Sequence, residues 1–237
     1  MASTALRAQR TISTGNPEID KKLGGGIPTG SLVLVEGQSD SGKSVLIQQM
    51  LWGSLKGGFT ATLLTTENTV KSLVRQMQSL NQDILDYLLL GRLKVFPIKA
   101  MQGKIRWERT LHNLLVALRA QEKRDLVAID AITSFVVHSP PEEVIAFFEE
   151  CKSICNDGTT IIVAAHSHAF SESLLVRIGS LCDAHLHLGI ENLGERVVRV
   201  LLVSKVRGAE QSTGNIVSFD VEPAWGMRII PFTKAKA

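Results

Sequence analysis

Eight residues, Gly37, Gln38, Ser39, Asp40, Ser41, Gly42, Lys43 and Ser44, read GQSDSGKS and fit the spacing of a phosphate-binding loop. Glycines at both ends let the backbone turn tightly and approach a ligand closely. The amides of such a turn, and of the helix it opens, point at phosphate oxygens, and the helix dipole favours the negative charge. Lys43 is the residue to reach the outer phosphates. The Ser44 hydroxyl is a hard oxygen ligand suited to Mg²⁺. A glycine-rich turn that binds nothing is the alternative, and the flanking sequence argues against it. SLVLVE (Ser31 to Glu36) precedes the loop as a buried strand, and VLIQQMLWGSL follows it as a helix.

An ATP and Mg²⁺ site of this kind needs further groups. DLVAID ends a second apolar run on Asp130, which could hold Mg²⁺ through water, although an acid in that place also serves as a helix cap. No carboxylate follows Asp130 directly, so the candidate to orient or deprotonate a water is Glu67 in TTEN, at another strand tip. A helix-start acid interacting with the dipole is the other reading of Glu67. His166, Ser167 and His168 in AAHSHAF could sense the terminal phosphate or be ordinary loop residues. Lys205 and Arg207 in SKVRGAE project to the same side of a strand end, as a phosphate-neutralising pair or as a solvated one. His185 and His187 share a strand face, with nothing further to mark them.

The elements that must position these groups alternate. Strands are expected at Leu32 to Glu36, Thr60 to Thr66, Leu93 to Pro97, Leu126 to Asp130 and Thr160 to Ala165. Helices are expected at Lys43 to Lys56, Thr69 to Leu80, Arg106 to Gln121, Pro141 to Asn156 and Ser171 to Leu181. This is the α/β pattern of a mainly parallel, twisted sheet covered on both faces by helices. After Leu181 come the short strands HLHLGIE, RVVRVLLVS, NIVSFDVE and MRIIPF, which predict an antiparallel edge. No repeat or linker divides residues 1–237, so a single domain is expected.

The net charge of +3 is scattered along the chain and indicates no nucleic-acid partner. No apolar run approaches the span of a bilayer, and MASTALRAQR lacks a signal-peptide core, so a soluble cytoplasmic protein is expected. Cys151, Cys155 and Cys182 make no disulfide framework and are expected to pack as buried apolar residues.

Taken together, these segments resemble the RecA/KaiC-type P-loop ATPases. TISTGNPEIDKKLGGGIPTGSLVLVEGQSDSGKS, Thr11 to Ser44, is similar to the lead-in and loop of that family, and SKVRG to its K-x-R-G element, which reaches the neighbouring subunit's nucleotide. The single copy, TTEN, VKSLVRQMQSLN and GRLKVFPI most resemble the accessory proteins of the archaellum (archaeal flagellum) motor. The resemblance implies a hexameric ring at the cytoplasmic face of the archaellum base, held to the membrane only through partners, which are the motor ATPase and other base proteins. It also implies that Lys205 and Arg207 serve a neighbour's nucleotide. Family members carry two glutamates at the tip occupied here by Glu67 and Asn68, which implies inefficient hydrolysis, and the resemblance to the accessory proteins implies strong ATP binding with slow or absent turnover, the bound nucleotide setting assembly and engagement of the motor ATPase. An active ATPase using Glu67, or a DNA-stimulated recombinase-like one, are the alternatives.

Overall fold

The computed structural model describes residues 10–98, 110–193, 196–211 and 216–230. The chain runs β1 (Thr11–Ile12), α1 (Pro17–Lys22), β2 (Ile27–Pro28), β3 (Leu32–Gly37), α2 (Lys43–Lys56), β4 (Ala61–Thr65), α3 (Val70–Ser79), α4 (Leu85–Leu89) and β5 (Leu93–Pro97). It continues through α5 (Thr110–Ala120), β6 (Leu126–Asp130), α6 (Thr133–Val137), α7 (Pro141–Asn156), β7 (Thr160–His166), α8 (Glu172–Leu181), β8 (Ala184–Leu193), β9 (Arg196–Val206), β10 (Ile216–Glu222) and β11 (Gly226–Ile230). The expected start of the third helix at Arg106, and the strand ends at Asn215 and Pro231 to Phe232, lie outside the described residues.

Nine strands form one sheet in the order β11-β10-β9-β8-β3-β7-β6-β4-β5. β3 lies between β7 and β8 and runs parallel to both. Its residues are buried on both faces, the pattern of a central parallel strand. Period-2 alternation splits them between two cores. Val33 and Val35 pack with Leu46, Ile47 and Met50 of α2, whereas Leu32 and Leu34 pack with Phe147, Phe148 and Cys151 of α7 and Ile178 of α8. All three cysteines are free and buried.

The antiparallel edge begins one strand later than expected. β8 joins the parallel core on one side and turns the sheet antiparallel on the other, where it pairs with β9. The reason is connection length. Helix α8 carries the chain back across the sheet to a parallel position, and only residues 194–195 separate β8 from β9, which permits nothing but a hairpin. The lead-in also has structure that the apolar pattern did not mark. Asn16 accepts from the amides of Glu18 and Ile19 to cap α1, with Pro17 in the first turn. The Asp20 carboxylate accepts from the Ser13 hydroxyl at 2.6 Å and the Thr14 hydroxyl at 2.7 Å. This knot sits on α2 at Gly53, where a Cβ would come within 2.4 Å of the Gly15 nitrogen and the Ser13 carbonyl oxygen.

Candidate functional site

At the carboxyl end of β3 the chain turns through residues 38–42 and enters α2. Asp40 adopts a φ of 58°, which aspartate tolerates better than most residues. Gly42 stands at the helix N-cap with a φ of 94° and no side-chain cap, which leaves the first amides of α2 available to an anion. Gly37 has a different reason to be glycine, because an added Cβ would lie 2.1 Å from the Leu188 carbonyl oxygen on β8. Lys43 is buried, and its ammonium donates to the Gln38 carbonyl at 2.7 Å, so the loop itself receives the charge that a phosphate would otherwise take. Burial lowers the Lys43 pKa, with Asp130 and Glu67 opposing.

The Ser44 hydroxyl donates to Asp130 Oδ1 at 3.1 Å, so the two residues meet across the β3 and β6 strand ends. Asp130 is 3% exposed, and burial pushes its pKa up to about 6. Two hard oxygens side by side, one a buried carboxylate short of positive charge, fit a divalent cation such as Mg²⁺. The cation would offset the burial that raises Asp130. Among the described residues, no group of three or more His, Cys, Asp or Glu side chains is arranged to hold a metal by itself, so phosphate and water oxygens would complete such a shell.

These residues line a cleft of about 540 Å³ with Ser39, Asp40, Val45, Glu67, Gln76, His166, Arg199 and Val221. Glu67 is exposed within it. Asn68 faces away, its Oδ1 accepting from the Ser72 hydroxyl at 3.2 Å. The Thr65 hydroxyl accepts from the amides of Glu67 and Asn68 at 3.1 Å each and fixes the tip. His166 borders the cleft with Nδ1 2.9 Å from the Thr133 hydroxyl, and burial followed by the Lys43 charge lowers its pKa. His168 stacks on His166 and is not part of the lining.

Lys205 and Arg207 are elsewhere. β9 runs antiparallel to β8, so its carboxyl end lies beside Ala184, at the opposite end of the sheet from Gly37. Lys205 donates to the Gly179 carbonyl at 2.6 Å and Arg207 to the Ser180 carbonyl at 3.2 Å, at the end of α8. Both border a surface recess with His185. Neither meets this chain's own cleft.

Arg199 of β9 does meet it, and sequence reasoning passed over this residue. Its Nε donates to the Asp40 carbonyl at 3.0 Å and it pairs with Asp220 at 3.2 Å. The available signal was a lone arginine within the apolar strand VVRVLLV. A second cluster was also missed. Glu36, 3% exposed, accepts from His187 Nδ1 at 2.6 Å and from the Ser167 hydroxyl, and its Oε1 lies 3.3 Å from His185 Nε2. Burial alone would raise the Glu36 pKa. The bonds from His185, His187 and Ser167 outweigh it and hold the carboxyl far below the usual range, while Glu36 raises His187.

A central parallel sheet, a glycine-rich loop of phosphate-binding spacing on its β3–α2 turn and an acid ending β6, one strand removed from β3, define a P-loop nucleotide-binding protein with RecA-like architecture. The family described as "ATPase: KaiC" matches residues 12–234. The archaeal flagellar ATP-binding protein FlaH of Sulfolobus acidocaldarius is 30% identical over 230 residues, which cover 95% of this chain and 99% of that protein. The crystal structure of the flagellar accessory protein FlaH from Methanocaldococcus jannaschii matches with a TM-score of 0.82 at 27% identity, over 94% of this chain and 100% of that one. A KaiC-like protein of Pyrococcus horikoshii shares the fold, with a TM-score of 0.74 at 20% identity over 94% of this chain and 100% of its own. The chain belongs to the KaiC family of ATPases and, within it, to the FlaH proteins.

Proposed function

We propose that this chain is one KaiC-type domain that binds ATP with Mg²⁺ in the cleft of Lys43, Ser44 and Asp130, and that bound nucleotide drives its assembly into a ring, in keeping with a hexamer. The observation that carries this reading is the division of the charged groups. The cleft supplies Lys43 from its own loop, while Lys205 and Arg207 stand at the far end of the sheet, turned outward on another surface. A nucleotide receives both sets only when a second copy brings its Lys205 and Arg207 to the first copy's cleft. Ligand then favours the assembled state by mass action.

By analogy with the proteins named flagellar accessory and ATP-binding proteins, the ring works at the cytoplasmic face of the archaellum base and, through its nucleotide state, controls engagement of the motor ATPase. No helix among the described residues is long and apolar enough to cross a membrane, which fits attachment through partner proteins. The test is the mass in solution with and without ATP and Mg²⁺, with phosphate release followed in the same sample. A nucleotide-dependent shift to a closed oligomer with little phosphate release is the expected result, and an unchanged mass refutes the assembly role. Lys43→Ala abolishes ATP binding in this reading, and unchanged nucleotide affinity in that variant sinks the site assignment.

The exposure of Glu67 inside the cleft favours a second reading, active hydrolysis with Glu67 orienting water. Single-turnover hydrolysis would then fall by about two orders of magnitude in Glu67→Gln, the size of a general-base loss. Wild-type turnover no faster than background, even with the motor partner present, eliminates this reading.

A further inference from the structure

Glu36 is a buried carboxylate that neither the phosphate contacts nor the proposed water chemistry uses. Burying a carboxylate is costly unless it is well paired, so its partners are informative. It directly precedes Gly37, and its side chain points to the face of the sheet opposite α2. There it receives His187 and the Ser167 hydroxyl and lies beside His185. Ser167 follows His166, which borders the nucleotide cleft. His185 pairs across the strands with Lys205, at a bulge in the β8–β9 register, and shares the surface recess of Lys205 and Arg207. Gly37 is packed hard against Leu188, the residue after His187 on β8. One carboxylate therefore joins the strand of the phosphate loop, the tip of β7 and the strand beneath the basic pair.

We propose that Glu36, with His185 and His187, is a positioning unit that couples the chain's own phosphate loop to the Lys205 and Arg207 surface it offers to a neighbouring copy. The proposal rests on the assembly reading above. A phosphate seated in the loop sets the position of β3, and the histidine bonds carry that position to β8 and so to Lys205. The charged and titratable groups around the unit include His185 and His187 from β8, with Glu191 in the recess beside His187, His166 and His168 on either side of Ser167 at the β7 tip, Lys205 and Arg207 at the end of β9 with Asp183 and Lys152 near Lys205, and Lys43 from α2. Helix α8 borders the shared recess with uncharged residues, Gly179 and Ser180 among them. A protonated His187 neutralises Glu36. Glu36 raises the His187 pKa above 6.5, so its proton leaves at a pH above that value and the buried charge is then unbalanced.

The experiment compares wild type, Glu36→Gln, Lys205→Ala and the double variant. Affinity for a fluorescent ATP analogue is measured at protein concentrations too low for assembly, and the midpoint of ATP-dependent assembly is measured by mass. In Glu36→Gln, own-site affinity stays within about twofold, the scatter expected of an independent site. Its assembly midpoint rises about tenfold, the size of a typical coupling between sites. The double variant assembles no worse than Lys205→Ala alone, because Glu36 acts on assembly through Lys205. Wild-type assembly weakens as pH rises above 6.5, and Glu36→Gln loses that dependence. Wild-type assembly with an unaffected Glu36→Gln, or effects of the two substitutions that multiply, overturns the coupling and leaves the assembly reading standing. A wild type that never assembles with ATP removes both. Should Glu36→Gln fail to fold, His187→Gln, at a side chain that is 41% exposed, replaces it. Loss of the pH dependence in that variant supports the unit, and its retention refutes it.

Discussion

In the proposed phosphate site, Lys43, Ser44 and Asp130 differ according to environment. Lys43 is buried, which lowers its pKa, and the acids around it, Asp130 and Glu67 first, oppose that shift. Asp130 is buried, which pushes its pKa up to about 6, so of these three residues it is the one that titrates in mild acid. A proton competes directly with a cation for this carboxylate. Mg²⁺-dependent ATP affinity should therefore fall below pH 6, approaching about tenfold per pH unit, and Asp130→Asn should be weak and insensitive to pH over that range. A titration with Mg²⁺ across this range checks it, and identical pH profiles for the two proteins contradict the assignment. At this scale the sequence was legible where chemistry is written contiguously, as in Gly37 to Ser44, or ends a buried strand, as at Asp130. It was silent on Arg199, whose partner Asp40 lies 159 residues away. It was equally silent on Glu36, because a carboxylate at a strand end looks the same whether or not two histidines wait across the next strand.

The loop geometry depends on elements as much as on residues. β3 is clamped between β7 and β8, and the approach to β8 is so close at Gly37 that a methyl group collides with the backbone at Leu188. Backbone cannot swing aside as a flexible side chain can. Gly37→Ala should cost about 3 kcal/mol, the upper part of the usual range for overpacking, and should shift the urea midpoint at unchanged slope. A midpoint within error of wild type would mean that β3 and β8 move apart freely. Element positions were readable because apolar periodicity is local: β5, β6, α2 and α7 begin and end where the pattern predicts. The short helices α4 and α6 escaped it, since five residues hold too little of a helical period to register. Helix α1 had a readable signal in Asn16 and Pro17, but its stability comes from the Asp20 knot and from docking on α2.

Over the whole molecule the sheet is polar in function. One end of its parallel strands carries the cleft proposed for nucleotide, and the other end carries Lys205 and Arg207. A substitution at Lys205 should therefore separate two properties that a self-contained site would keep together. Lys205→Ala should bind ATP like wild type in dilute solution, yet fail to show the ATP-dependent increase in mass at concentrations where wild type assembles. Loss of binding in the dilute variant would place Lys205 in its own chain's site and contradict the ring. The packing is consistent with such an arrangement, since among the described residues Lys205 and Arg207 donate to the Gly179 and Ser180 carbonyls and Arg207 makes an edge contact with Asp183.

By itself, the amino-acid sequence determined the loop and its ligand class, the alternation of strands and helices, and membership in a nucleotide-binding family. These are properties of residues near one another in the chain, where spacing and periodicity translate directly into backbone shape. Strand order was decided only in the tertiary structure, because β3 meets β7 and β8 through pairings more than 120 residues apart in sequence. That order puts Ser44 beside Asp130 and closes Glu36 against His185 and His187. It also sends Lys205 and Arg207 to the far end of the sheet. Long-range contacts of this kind depend on which buried faces fit together, and that fit is a property of the packed core rather than of any segment within it.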